Sequence, residues 1–157
     1  MSKIITINQA AKLSTKFKQS GKTIVLVGGC FDLLHKGHIY FLEKSKQKGD
    51  LLFVLLESDV NIRKRKGENR PINPQNIRSI VLSARPYVDY IIPLQDVTND
   101  KDYDKLIVQI KPDIITMTEG DKNLSQRTKQ CEKFGVKLEL IDKMEGVSTS
   151  NLIENKI

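Results

Sequence analysis

The sequence has no tryptophan, and its other large aromatics are four tyrosines and five phenylalanines in 157 residues. Surfaces that bind single-stranded nucleic acid interleave basic and aromatic side chains for base stacking, so a nucleic-acid partner is not expected. Cysteine is equally scarce. Cys30 and Cys131 lie far apart and form no CxxC pair, which argues against a disulfide framework and for reduced thiols. No uninterrupted apolar run approaches the roughly 20 residues that span a bilayer, and Met1 to Ala10 carries no signal-peptide core. The expectation is a cytoplasmic protein without a membrane partner. Repeats, linkers and low-complexity stretches are missing too. The glycines do not follow the GxGxxG spacing of a dinucleotide site.

Hydrophobic residues make up 39% of the chain, enough for a packed core, and the length suits one domain over residues 1–157. The net charge of +7 suits a polyanionic partner such as a nucleoside triphosphate, or serves only solubility. Short apolar runs read as strands at Thr23–Val27, Leu51–Leu56, Ile91–Ile92, Ile114–Met117 and Val136–Ile141. The first two are nearly continuous, as in strands covered on both faces. Helix-length segments lie between them. One is capped by Asn8 and stops at Ser20-Gly21. Others run from Gly37 to Gln47, from an Asn73 cap and Pro74 to about Leu82, and from Leu124 to Phe134. A last helix is capped by Ser148. This alternation predicts an α/β fold with a parallel sheet, helices on both faces and ligands beyond the strands' carboxyl ends.

Just after the first strand comes Gly28-Gly-Cys-Phe-Asp-Leu-Leu-His-Lys-Gly-His38, which holds both histidines of the chain. The glycine pair would let backbone approach a ligand. His35 and His38, three residues apart at a helix start, would share one side. The free N–H groups of that start and its partial positive charge complete a site for phosphate oxygens. Imidazole N–H donors there would stabilise charge building on a phosphoryl group under attack. Three alternatives compete on the same residues: histidines with a purely structural role, a zinc site from Cys30, His35, His38 and Cys131, and a dinucleotide site.

Gly29 to His38 resembles the signature of the HxGH cytidylyltransferase-like nucleotidyltransferases, and the likeness runs from about Gly21 to the end of the chain. It is nearest to the adenylyltransferase domain that makes ADP-heptose, with glycerol-3-phosphate cytidylyltransferase more distant. The resemblance implies a Rossmann-like five-stranded parallel sheet. It also implies transfer of a nucleoside monophosphate to a phosphorylated small acceptor with release of pyrophosphate. ATP and a sugar 1-phosphate are favoured, and CTP with glycerol 3-phosphate is the alternative. Mg²⁺ would accompany the triphosphate, without a metal ligand from the protein, and a homodimer is expected. The catalytic residues implied are His35, His38, Lys66 and Arg78. Nucleotide contacts are implied for Gly29, Cys30, Phe31 and His38, for Glu119, Gly120 and Asp121, and for Val147, Ser148 and Thr149. Acceptor contacts are implied for Asp32 and Asp59. Gly67-Glu-Asn-Arg-Pro71 reads as a mobile loop closing over phosphates. A regulatory or nucleic-acid-binding module on the same fold is the rival from another class.

Overall fold

The computed structural model describes residues 2–96 and 99–144. The helix expected after Ser148, and with it Val147, Ser148 and Thr149, lies outside the described residues. The chain runs α1 (Ile7–Gln19), β1 (Ile24–Gly29), α2 (Lys36–Lys46), β2 (Leu51–Leu56), α3 (Asp59–Lys66), α4 (Gln75–Ser83), β3 (Tyr90–Pro93), α5 (Asp100–Ile110), β4 (Ile114–Thr118), α6 (Leu124–Phe134) and β5 (Lys137–Ile141). Five parallel strands form one sheet in the order β3-β2-β1-β4-β5. The order reverses at β1, which pairs with β2 on one side and β4 on the other. The crevice beyond β1 and β4 is therefore the switch point at which such sheets take ligands.

Period-two alternation divides the apolar runs between two cores. Ile24, Leu26, Phe53, Leu55 and Ile115 face one layer, with Ala10 of α1, Leu106 and Ile110 of α5 and Cys131 of α6. Val25, Val27, Leu52, Val54 and Leu56 face the other, with Leu42 of α2 and Leu82 of α4. Each fully buried aliphatic side chain contributes about 1.5–3 kcal/mol relative to exposure. That explains why β1 and β2 carry almost no polar residue. Across the second core, the Ser45 and Thr116 hydroxyls are hydrogen-bonded at 2.7 Å, tying α2 to β4.

Several boundaries differ from the expectation. α1 begins earlier, because Thr6 and Gln9 form a reciprocal capping box ahead of Asn8. At α4, Pro74 itself is the cap and makes no side-chain bond. α3 and α5 form helices where none is expected from the apolar runs. At α3, Ser58 accepts a hydrogen bond from Asn61 N–H at 3.2 Å and so caps the basic run Arg63–Lys66. At α5, Asn99 is the cap, and the helix ends at Lys111 in a left-handed conformation without a glycine. Residues 3–5 lie beside β3: Ile5 N–H donates to Ile91 O at 2.9 Å and Ile91 N–H to Lys3 O at 2.8 Å.

Candidate active site

A cleft of about 470 Å³ opens at the switch point, within the range typical of small-molecule sites. Its floor is the β1 end and the turn into α2. That turn is sharp, with Phe31 at φ 46° and Leu33 at φ 54°, conformations that L-residues seldom adopt. Gly29 is required for a reason different from the one expected. A Cβ there would lie 2.8 Å from Phe31 Cε2, so the glycine makes room for the Phe31 ring. Phe31 in turn packs edge-on to His38, with ring centroids 5.5 Å apart.

The imidazoles of His35 and His38 are stacked, 3.8 Å between centroids and 20° between planes. His35 is the N-cap of α2, and its Nδ1 accepts from Gly37 N–H at 3.0 Å. His38 Nδ1 accepts from His35 N–H at 3.3 Å. A ring nitrogen that accepts carries no proton, so both neutral rings hold their proton at Nε2. Burial lowers the His38 pKa to about 3, with further lowering from the charges of His35 and Lys66 against a raising effect of Asp32. Burial also lowers that of His35. The pair is thus two neutral N–H donors set at a helix N-terminus.

Lys66, at the end of α3, lines the cleft with Cys30, Phe31 and Asp121, so these expected residues do come together. Glu119 and Gly120 do not line it; both are exposed in the turn after β4. Three further residues make internal contacts that the resemblance does not imply. Arg78 is only 1% exposed and is not on the cleft wall. Its guanidinium donates to Asn73 O, Cys30 O and Glu57 O at 3.0, 2.7 and 3.0 Å, and pairs with Asp59 Oδ1 at 2.6 Å. Arg78 braces three loops internally, and Asp59 is its counter-ion through Oδ1, with a third of its side chain exposed. Asp32 lines the cleft but is likewise only 1% exposed. It accepts from Ile72 N–H at 2.7 Å and Asn73 N–H at 3.0 Å and faces Arg70 Nε at 3.5 Å. Asp32 therefore pins the end of the loop read as mobile. For Arg78 and Asp32 the physical reason is the same: a buried charge is tolerated only when paired and hydrogen-bonded.

Arg70, Tyr103 and Arg127 also line the cleft and carry no motif. For Tyr103 a signal existed. Tyr103, Leu106, Ile107 and Ile110 fall at helical spacing behind an Asn99 cap. Of the cysteines, Cys30 lines the cleft while Cys131 points from α6 into the core, so the two are not joined in one site.

The cytidylyltransferase-like family matches residues 26–155. "Bifunctional protein HldE" of Campylobacter jejuni subsp. doylei is 40% identical over 150 residues, covering 94% of this chain and 31% of the relative. The protein of that name from Photorhabdus laumondii is 33% identical over 153 residues, again covering 31% of its length. The chain thus spans about a third of the curated relatives it matches. Among solved structures, a lipopolysaccharide core biosynthesis protein from Thermoplasma volcanium superposes with a TM-score of 0.65 at 30% identity, covering 79% of this chain and 98% of that one. A pantoate-beta-alanine ligase from Francisella tularensis gives 0.68 at 16% identity, over 99% of this chain and 77% of that one, and shares the fold. With the HxGH turn placed at the switch point of a matching sheet, the chain belongs to the cytidylyltransferase-like family of nucleotidyltransferases.

Proposed function

We propose that this domain transfers AMP from ATP to a sugar 1-phosphate and releases pyrophosphate, as a cytoplasmic enzyme. The observation that carries the reading is the stacked, neutral His35–His38 pair at the N-terminus of α2. Two Nε2–H donors set at the positive end of a helix suit phosphate oxygens. An oxygen of the acceptor phosphate attacks the α-phosphorus in line. The bond from that phosphorus to the bridging oxygen breaks, and pyrophosphate leaves with the electron pair. His35 and His38 donate to the oxygens on which charge builds, and Lys66 at the cleft wall adds a positive charge.

Mg²⁺ belongs to this reading as a companion of the triphosphate, whose charge it neutralises. The buried carboxylates Asp32 and Glu57 already have N–H or O–H partners. That fits a metal carried by phosphate oxygens rather than by a protein cage. A homodimer also belongs to it, and the exposed Ile77 and Ile80 of α4 are apolar surface available to such a contact.

The test is pyrophosphate release with ATP or CTP against heptose 1-phosphate and glycerol 3-phosphate, with Mg²⁺ and with excess chelator. ATP with heptose 1-phosphate is expected to be fastest, and chelation to stop turnover. A kcat/KM for CTP at least tenfold above that for ATP, a difference of about 1.4 kcal/mol, would replace the adenylyltransferase reading with the cytidylyltransferase one. Salt-dependent RNA binding with no turnover would replace both.

A further inference from the structure

Beyond the imidazole pair, the cleft continues across the carboxyl edge of the sheet to the face covered by α5 and α6. Glu57 follows Leu55 by two residues, and Leu55 belongs to the core on that face. Glu57 is 3% exposed, and both its oxygens are filled. Oε1 accepts from Ser58 N–H at 3.2 Å and Asn61 Nδ2 at 3.0 Å. Oε2 accepts from Arg65 Nη2 and from the Tyr103 hydroxyl, each at 2.7 Å. The carboxylate has little capacity left for a ligand, so it acts as a clamp on its partners. Burial and the adjoining carboxylate push the Tyr103 pKa well above the ordinary phenol range, holding it as an O–H donor. Arg127 lies over the Tyr103 ring, its guanidinium carbon 4.5 Å from the centroid, and donates to Gln130 Oε1.

Four side chains, one from the loop after β2 and one each from α3, α5 and α6, thus converge in one half of the cleft. Arg65 pairs with the one carboxylate and Arg127 lies over the Tyr103 ring, so the four side chains together are net positive. Arg65 and Arg127 each keep N–H groups that no other described residue takes. Tyr103, Ile107 and Ile115 supply an apolar wall. Paired N–H donors suit a phosphate, and the apolar wall suits the carbon face of a small skeleton. A nucleotide base is poorly served here, because Arg127 already covers the Tyr103 ring.

We propose that Glu57, Arg65, Tyr103 and Arg127 form the acceptor subsite. Arg65 and Arg127 contact the phosphate of a phosphorylated sugar, and Glu57 and Tyr103 are positioning residues that hold them. This rests on the nucleotidyl-transfer reading above. It moves acceptor recognition from Asp32, which holds Ile72, Asn73 and Arg70, and from Asp59, which pairs with Arg78, to these side chains.

Steady-state kinetics of the full chain with ATP and heptose 1-phosphate tests it. Arg127→Gln is expected to raise KM for the sugar phosphate tenfold or more and to move KM for ATP less than twofold. Arg127→Lys should recover part of the loss, since it restores charge but not the fork. Glu57→Gln should show the same split between the two KM values, and Tyr103→Phe a smaller one. Arg127 is partly exposed, so its variants decide the matter even if Glu57→Gln fails to fold. A raised KM for ATP with the sugar phosphate unmoved would put the nucleotide in this half and overturn the proposal. Unchanged KM values for both substrates would make the network structural only. A wild type that releases no pyrophosphate with any pairing would overturn the reaction itself, and the subsite with it.

Discussion

His35 has two duties at once. Its Nδ1 caps α2, and its Nε2–H is free to meet a substrate oxygen. Asparagine at this position keeps a capping acceptor and removes the ring donor. His35→Asn is therefore expected to lower turnover about 10²-fold while the melting temperature stays within a degree or two; near wild-type turnover would sink the catalytic role. His38 makes a different prediction through its lowered pKa. An ordinary histidine in the unfolded chain titrates near 6.5, whereas folded His38 does so near 3. Between those values the unfolded state binds the extra proton, so acidification favours unfolding. The stability linked to this group is complete above about pH 6.5 and is lost as pH falls toward 3, with a limiting slope of about 1.4 kcal/mol per pH unit. Denaturant titrations from pH 7 to 4.5 should show His38→Gln losing stability less steeply than the wild type. Parallel curves would mean that the ring is not held neutral by its surroundings.

At the scale of elements, α4 shows what burial does to a motif residue. The helix start at Asn73-Pro74 was legible, and the resemblance implied a catalytic role for Arg78. Yet its helix packs Arg78 inward, where the fork meets three backbone carbonyls and Asp59. A side chain's direction depends on helix rotation, which the motif does not encode. Arg78→Lys replaces this planar fork with a single point donor and leaves buried carbonyls short of partners. A loss of about 2 kcal/mol or more is expected in chemical denaturation, with KM for ATP little changed in whatever fraction folds. A stable variant with a raised KM for ATP would return Arg78 to the phosphates. The strands and the His35–His38 turn were legible because apolar runs and glycines leave local signals. α5 escaped notice because it ends on Lys111 rather than on a glycine, although its Tyr103-Leu106-Ile107-Ile110 spacing is helical. Arg70 and Arg127 were illegible for another reason: their place in the cleft comes from tertiary contacts alone.

Across the whole molecule, the alternation of strands and helices was enough to anticipate a parallel sheet, and the site lies at the carboxyl ends as expected. Strand order was not readable from any local pattern, and it is strand order that puts β1 between β2 and β4 and opens the cleft there. The same order leaves β3 and β5 as borders. The two are protected in different ways. Residues 3–5 occupy the free side of β3 with backbone hydrogen bonds. β5 is only five residues long and carries Lys137 and Glu139, ion-paired at 2.9 Å. Unpaired strand borders are templates for the strands of other molecules, and brevity and charge discourage that recruitment. A short segment ahead of α1 and one lysine–glutamate pair thus serve the colloidal behaviour of the protein, helping its sheet to remain finite at high concentration.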